Sequence, residues 1–270
     1  ANLGLNYQAA DNFEIRMNLA RASRTPNAAE LFADGLHHSA AVIERGNLAI
    51  AQEVVYQANL SVYGKLPVLH GLNFEINPYY LYSGNFINQD PSGAMVTIRG
   101  IFPVWDYKQV RAEIFGLDAD ATLKFTDFLQ WQGQFSYLRG QNLSTGEPLI
   151  QMVPANFRNS LAFDFPQWRG LNFKVEHVSF LKQNRFPVRH VPVEVIDGGE
   201  TVSKTLDLST PPPGYSLWNL SGGINLSKNL RTDFGVTNLA NIRYREYLNR
   251  LRYFADAMGR NFFISLNFKF

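Results

Sequence analysis

Apolar residues recur at every second position in segments of about ten residues, a period that specifies strands rather than amphipathic helices. Phe13, Ile15, Met17 and Leu19 interleave with Glu14, Arg16 and Asn18. Phe115, Leu117, Ala119, Ala121, Leu123 and Phe125 interleave with Asp118, Asp120, Thr122 and Lys124, and Phe262, Ile264, Leu266, Phe268 and Phe270 with Ser265, Asn267 and Lys269. Such a sheet has one continuous apolar face and one polar face. Two architectures satisfy it: a soluble sandwich, whose apolar face is a core, and a membrane barrel, whose apolar face meets lipid.

Three features favour the barrel. The polar parity carries mid-strand charges of both signs, whereas a basic residue on the lipid side at midplane would cost roughly 2–4 kcal/mol. His177 fits less well, because it shares parity with Leu171, Phe173 and Val175. Many apolar runs end in an aromatic, such as Phe13, Tyr82, Phe125, Tyr137, Phe165 and Phe270, where an interfacial girdle would lie; the chain has 21 Phe and 12 Tyr. The connections also alternate in length. Tight turns are predicted at Ala10 to Asn12, Pro67 to Gly71, Thr126 to Phe128, Gln167 to Gly170 and Ser227 to Asn229, with long loops at 24–52, 84–104, 140–155, 182–213 and 240–259. Short turns at one end and long loops at the other are the plan of outer-membrane barrels, the short turns being periplasmic.

Eleven strands are predicted, starting with Asn2 to Gln8. Bacterial single-chain barrels have even counts, so an odd number suits part of a larger barrel, and Ala1 in place of an initiator Met suits a processed or partial sequence. No run reaches the ~18 apolar residues of a spanning helix. A net charge of +2, evenly spread, does not suggest a nucleic-acid surface, and the absence of Cys excludes disulfides and thiolate chemistry. Pro187, Pro192, Gly198-Gly199 and Pro211 to Gly214 mark a loop rather than a central strand.

Two segments resemble a known family. Arg24-Thr25-Pro26-Asn27 with Glu30-Leu31-Phe32, followed by Gly46-Asn47-Leu48 and Glu53, is similar to the paired boxes of TonB-dependent outer-membrane receptors, although the second box lacks its Pro. Val236-Thr237-Asn238-Leu239-Ala240-Asn241 with Tyr244, and Gly259-Arg260-Asn261-Phe262 through Phe270, resemble their last two strands and terminal assembly signal. The resemblance implies that residues 1–270 are the C-terminal half of a 22-stranded transmembrane antiparallel β-barrel in the bacterial outer membrane. It further implies that this piece contains neither the plug nor the segment that TonB pulls, so that its partners are the plug, the other barrel half, the TonB complex through that plug, and outer-membrane lipid and lipopolysaccharide. The implied activity is energised import of an iron-siderophore, haem or a metal ion, with no cofactor required. A passive pore or adhesin barrel would instead have an even strand count, and a soluble carbohydrate-binding sandwich would have a dry core.

Candidate ligand contacts cluster in the long loops. His37-His38, near Glu30, Asp34 and Glu44, could ligate zinc, copper or haem iron; the competing reading is a solvated pair. Their position between the boxes resembles that of ligand histidines in haem and zinc receptors. Arg189 and His190, with Arg185, could meet an anionic siderophore, haem propionate or another chelate; the competing reading is a solvated loop. Arg243, Arg245, Arg250 and Arg252, interleaved with Tyr244, Tyr247, Tyr253 and Phe254, form a basic–aromatic loop suited to an aromatic anion, with Tyr247 and Arg250 as the named contacts; plug packing or lipopolysaccharide contact is the alternative. Glu14, Glu75, Asp118, Asp120, Lys124 and Arg158 have inner-wall parity. No nucleophile stands beside a base, so no catalytic residue is assigned.

Overall fold

The computed structural model describes residues 1–253 and 255–270, with the side chain of Asp197 outside the description. Eleven strands form one antiparallel meander: β1 (Asn2–Ala10), β2 (Phe13–Arg24), β5 (Glu53–Leu66), β6 (Leu72–Thr97), β7 (Gly100–Lys124), β8 (Leu129–Asn142), β9 (Asn156–Phe165), β10 (Leu171–Phe180), β13 (Tyr215–Asn225), β14 (Leu230–Thr237) and β15 (Asn261–Phe268). The intervening elements, β3 (Asp34–His37), β4 (Val42–Arg45), β11 (His190–Asp197) and β12 (Glu200–Asp207), belong to loops, as does the short helix α1 (Ala28–Phe32). All five expected tight turns join neighbouring strands at one end of the sheet.

Alternation separates the two faces as the residue types require. On one face Arg16 pairs with Glu14 at 2.7 Å, Arg158 and Lys174 share Glu176 at 3.1 and 3.2 Å, and Arg231 meets Asp233 at 2.9 Å. On the other, Phe163 stacks on Phe173 at 4.4 Å and Phe135 packs on Phe157 at 5.0 Å. The ion-paired face is the inner wall and the aromatic face meets lipid.

His177 does face outward, with its ring 4.7 Å from that of Trp218 on the paired strand and Asn159 on its other side. The indole covers one side of the imidazole but supplies no acceptor for it. His177→Leu is therefore expected to stabilise the barrel by on the order of 1 kcal/mol, read from urea unfolding of the intact receptor in lipid.

Two long connections are more ordered than their composition indicates. The segment 84–104, expected to be a loop, instead continues β6 and β7 as a hairpin arm that turns between Thr97 and Gly100. Pro91, Gly93 and Pro103 obscure the period, and bulges between Ser83 and Phe86 and between Pro91 and Gly93 reset the register, while the ladder still pairs the backbone. Residues 190–207 form the β11–β12 hairpin, and Pro192 is tolerated because a two-stranded sheet has only edges.

Buried apolar side chains concentrate in this loop layer. Val42, Trp105 and Ile150 form one cluster, and Val110, Ala112 and Leu149 another with Phe86, Ile114 and Met152 around them. The loops therefore have cores of their own, above a wall whose apolar side needs lipid.

Candidate ligand-binding face

The two boxes after β2 fold into a single knot. Asn27 caps α1 reciprocally with Glu30: its Oδ1 accepts from the Glu30 amide at 2.9 Å while Glu30 Oε2 accepts from the Asn27 amide at 2.8 Å. Arg24 then donates to Glu30 at 2.9 Å and lies 3.0 Å from Glu53, whose same oxygen accepts from the Ile87 amide at 3.0 Å. Both carboxylates are buried, so Arg24 is their charge partner from β2. The second box closes on the first through its backbone: Gly46 N–H donates to Ala33 O at 2.6 Å and Asn47 N–H to Glu30 O at 2.9 Å. A Cβ at Gly46 would stand 2.5 Å from the Leu31 carbonyl carbon, which accounts for glycine there. The motif residues thus fix the base of the loop.

The second motif is equally structural. Asn238, 2% exposed and with φ of 51°, accepts from the Ile242 amide at 2.9 Å and donates to its carbonyl at 2.9 Å, turning the chain out of β14. Asn tolerates that left-handed backbone better than a branched residue would.

Two arginines tie separate loops together. Arg250 donates to Glu44 at 2.6 Å and to Gln89, and its guanidinium lies 4.9 Å from the Trp105 ring centroid. Gln89 also donates to Glu44 at 3.2 Å. Burial raises the Glu44 pKa, but the hydrogen bonds from Gln89 and Arg250 outweigh it and hold the carboxyl below its ordinary value. Arg189 forks between Asp90, at 3.0 and 3.1 Å, and Glu147, at 2.8 and 3.0 Å, while Lys108 meets Asp90 at 2.9 Å. The Arg189 contact holds Glu147 below its usual value, and the two carboxylates raise the guanidinium above its own.

The sequence-predicted contacts therefore divide into two groups. Arg189, Arg250 and the buried Tyr247, which lies under the Arg252 guanidinium at 4.5 Å, are committed to loop packing. Burial raises the Tyr247 hydroxyl. His37, His38 and His190 are at the surface. His37 has Nδ1 3.5 Å from Glu44 and Nε2 3.0 Å from the Ser39 hydroxyl, whereas His38 Nε2 lies 3.4 Å from Arg99. The adjacent histidines thus have different neighbours, and among the described residues no three His, Asp or Glu converge on a metal position. His190 sits 3.6 Å from Asp207 across the β11–β12 pair. Phe254 lies outside the described residues. Gln89, Asp90, Trp105 and Glu147 complete these contacts without any local signal in the sequence, because their partners are remote in the chain.

The basic–aromatic loop also closes a cavity of about 320 Å³ against Phe180, Leu181, Pro212, Pro213 and Tyr215, with Arg245 and Glu246 at its side. Tyr215 stacks on Phe180 at 5.1 Å and packs on Tyr244 at 4.5 Å, which fixes the aromatic wall.

The Glu44 and Glu147 contacts make the loop layer acid-sensitive. Both folded-state pKa values lie below the ordinary 4.5, so their stabilisation is present above that value and is lost as pH falls through the depressed ones. Trp105 emission, isolated by subtracting a Trp105→Phe variant, is expected to stay constant from neutrality to about pH 5 and shift only below the ordinary carboxylate range.

An antiparallel meander with a lipid-facing side, an ion-paired inner side and packed loops at one end is a segment of outer-membrane β-barrel wall. Residues 1–239 match the family described as "TonB dependent receptor-like, beta-barrel", and the chain belongs to that family, whose members are receptors and not enzymes. It is 25% identical over 252 residues to the ferric enterobactin receptor of Pseudomonas aeruginosa, a match covering 88% of this chain and 32% of that protein. In fold it is similar to the copper transporter OprC, with a TM-score of 0.76 at 19% identity, covering 99% of this chain and 39% of that one. It is also similar to the siderophore receptor PirA from Acinetobacter baumannii, with a TM-score of 0.68 at 17% identity, covering 100% of this chain and 40% of that one. The chain spans about a third of the length of its curated relative.

Proposed function

We propose that this chain supplies C-terminal barrel wall and extracellular loops to a receptor that imports an anionic, aromatic iron chelate in a TonB-dependent cycle, the plug and remaining strands lying outside it. The observation that carries this reading is the cavity walled by Phe180 and Tyr215 with Arg245 at its side: aromatic walls suit a planar ligand, and the guanidinium, paired with Asp256 at 2.6 Å and donating to the Arg252 carbonyl at 2.7 Å, turns its remaining N–H groups to the ligand's charge. The kinship with a ferric enterobactin receptor supports it. In this reading Arg189 and Arg250 act by holding the loops in their binding shape, and His190 offers a polar contact at the rim.

A second reading, capture of a metal ion or haem iron, rests on His37 and its 3.5 Å approach to Glu44, with His38 beside it. Fluorescence titration of the intact receptor with a ferric catecholate, a ferric hydroxamate, haem, zinc and copper separates the two. The catecholate is expected to bind most tightly and to lose about tenfold in affinity in Arg245→Gln, a difference of about 1.4 kcal/mol. Preference for metal or haem, lost in His37→Ala/His38→Ala, would transfer the assignment to the second reading. Growth on the chelate as sole iron source should require TonB.

A further inference from the structure

Below the row of Arg111, which stands opposite the β6 bulge at the foot of the hairpin arm, only three charged residues among the described residues of the eleven wall strands have outward parity: Arg21, Glu113 and Arg139. They fall in one strip. Arg21, Tyr56, Tyr82, Glu113 and Gln141 form a single register row across β2, β5, β6, β7 and β8, and the row beneath reads Leu19, Ala58, Tyr80, Phe115 and Arg139. The strip lies at the loop end of the wall, where the lipid-facing surface reaches the head groups of the outer leaflet. Elsewhere on that face the same parity is mainly apolar or aromatic, with Ser23, Asn159, His177, the hydrogen-bonded pair Ser179 and Ser216, and Thr232 as the polar exceptions.

The two cations have no carboxylate partner among the described residues. Arg21 is braced by Tyr56, with Nε 3.4 Å from the hydroxyl and the guanidinium 5.9 Å from the ring centroid, while Glu113 is held by the Tyr80 hydroxyl at 2.8 Å. Every arginine of the inner wall, by contrast, has an acidic partner: Arg16, Arg24, Arg158 and Arg231. Unpaired cations facing lipid are unfavourable unless the lipid supplies the anion. The surface around them is shaped as well as charged. Two grooves flank Tyr80, one of about 440 Å³ lined by Leu3, Leu19, Arg21, Tyr56, Ala58 and Tyr82, the other of about 280 Å³ lined by Glu113, Phe115, Arg139 and Gln141.

We propose that this strip is a binding site for lipopolysaccharide: the phosphates of its glycolipid head group on Arg21 and Arg139, and acyl chains in the grooves on either side of Tyr80. The arginines stand four strands apart, about 19 Å at ~4.8 Å per strand, and reach inward from either side. That spacing suits a head group carrying a phosphate at each end rather than a phospholipid with one. Glu113, between them, is placed to share a divalent cation with those phosphates.

The test uses the full-length receptor purified from outer membranes in mild detergent, with bound lipid counted by native mass spectrometry. Wild type is expected to retain bis-phosphorylated lipid A, and Arg21→Gln/Arg139→Gln to retain about thirtyfold less, the loss expected for two basic residues facing anionic lipid. Lipid A stripped of both phosphates should bind wild type about as weakly as phosphorylated lipid A binds the variant, and this comparison needs no substitution, so it decides even if the variant folds poorly. Equal retention by variant and wild type, or equal binding with and without phosphates, overturns the proposal. Displacement by phosphatidylglycerol at equal concentration overturns it too, by making the strip a general anionic-lipid surface.

Discussion

Arg24→Ala should detach the first long loop from the barrel rim. It removes the cation that Glu30 and Glu53 share, both carboxylates being buried, at 6% and 4% exposure. Deleting the cation that two buried carboxylates share costs about 3–4 kcal/mol, the low end of the range for a buried pair because Arg24 itself is 46% exposed and each carboxylate keeps a backbone N–H. The damage should spread along the hydrogen bonds of the knot, freeing α1 and the Gly46-Asn47 segment while leaving the wall strands paired. Limited proteolysis of the intact receptor in outer-membrane vesicles reads this: cleavage within 25–52 should become fast, and the heat-modifiable shift that reports barrel closure should persist. Arg24→Lys, which keeps the charge but cannot fork, should be intermediate. Loss of barrel closure together with the loop would show that the knot holds the wall as well.

Arg250→Ala should have the second-largest effect. It leaves Glu44 without its cation, Gln89 without a donor, and Trp105 uncovered. Glu44 is less deeply buried than Glu53, so the expected cost is about 2–3 kcal/mol. Arg250 connects the loop before β15 to both the hairpin arm and the segment bearing His37, so three loops lose their common anchor. Chelate affinity should fall at least about tenfold, equivalent to about 1.4 kcal/mol spent on reordering the loops before binding. A double-mutant cycle with Glu44→Gln should show strong coupling, since the two residues act through one contact. Independent effects would mean that Arg250 touches the ligand itself.

The wall was legible from sequence because lipid enforces a strict two-residue period. Leu117, Ala119 and Ala121 cannot exchange faces with Asp118, Asp120 and Thr122 without placing carboxylates in hydrocarbon, so strands and tight turns follow directly. The hairpin arm at 84–104 was not legible, because outside the membrane no solvent constrains parity, and two bulges with Pro91 and Pro103 broke what pattern remained. The boxes at Arg24, Glu30 and Glu53 were readable as a resemblance, but their work in holding the loop base emerges only from contacts. The sequence marks Arg189 and Arg250 as loop cations and suggests ligand contact, whereas in the structure they bond to other loops. Their partners Asp90 and Glu44 lie 99 and 206 residues away, a distance that no local spacing can register.

Alternate residues of these strands face lipid and the barrel interior, and the chain's lack of cysteine makes that alternation directly measurable. Spin labels attached one at a time to cysteine substitutions at positions 117 to 122 of β7, in the receptor reconstituted in lipid, report collision with oxygen dissolved in the bilayer. Oxygen maxima are expected for Leu117→Cys, Ala119→Cys and Ala121→Cys and minima for Asp118→Cys, Asp120→Cys and Thr122→Cys. Maxima at the even positions, or accessibility without a two-residue period, would contradict it.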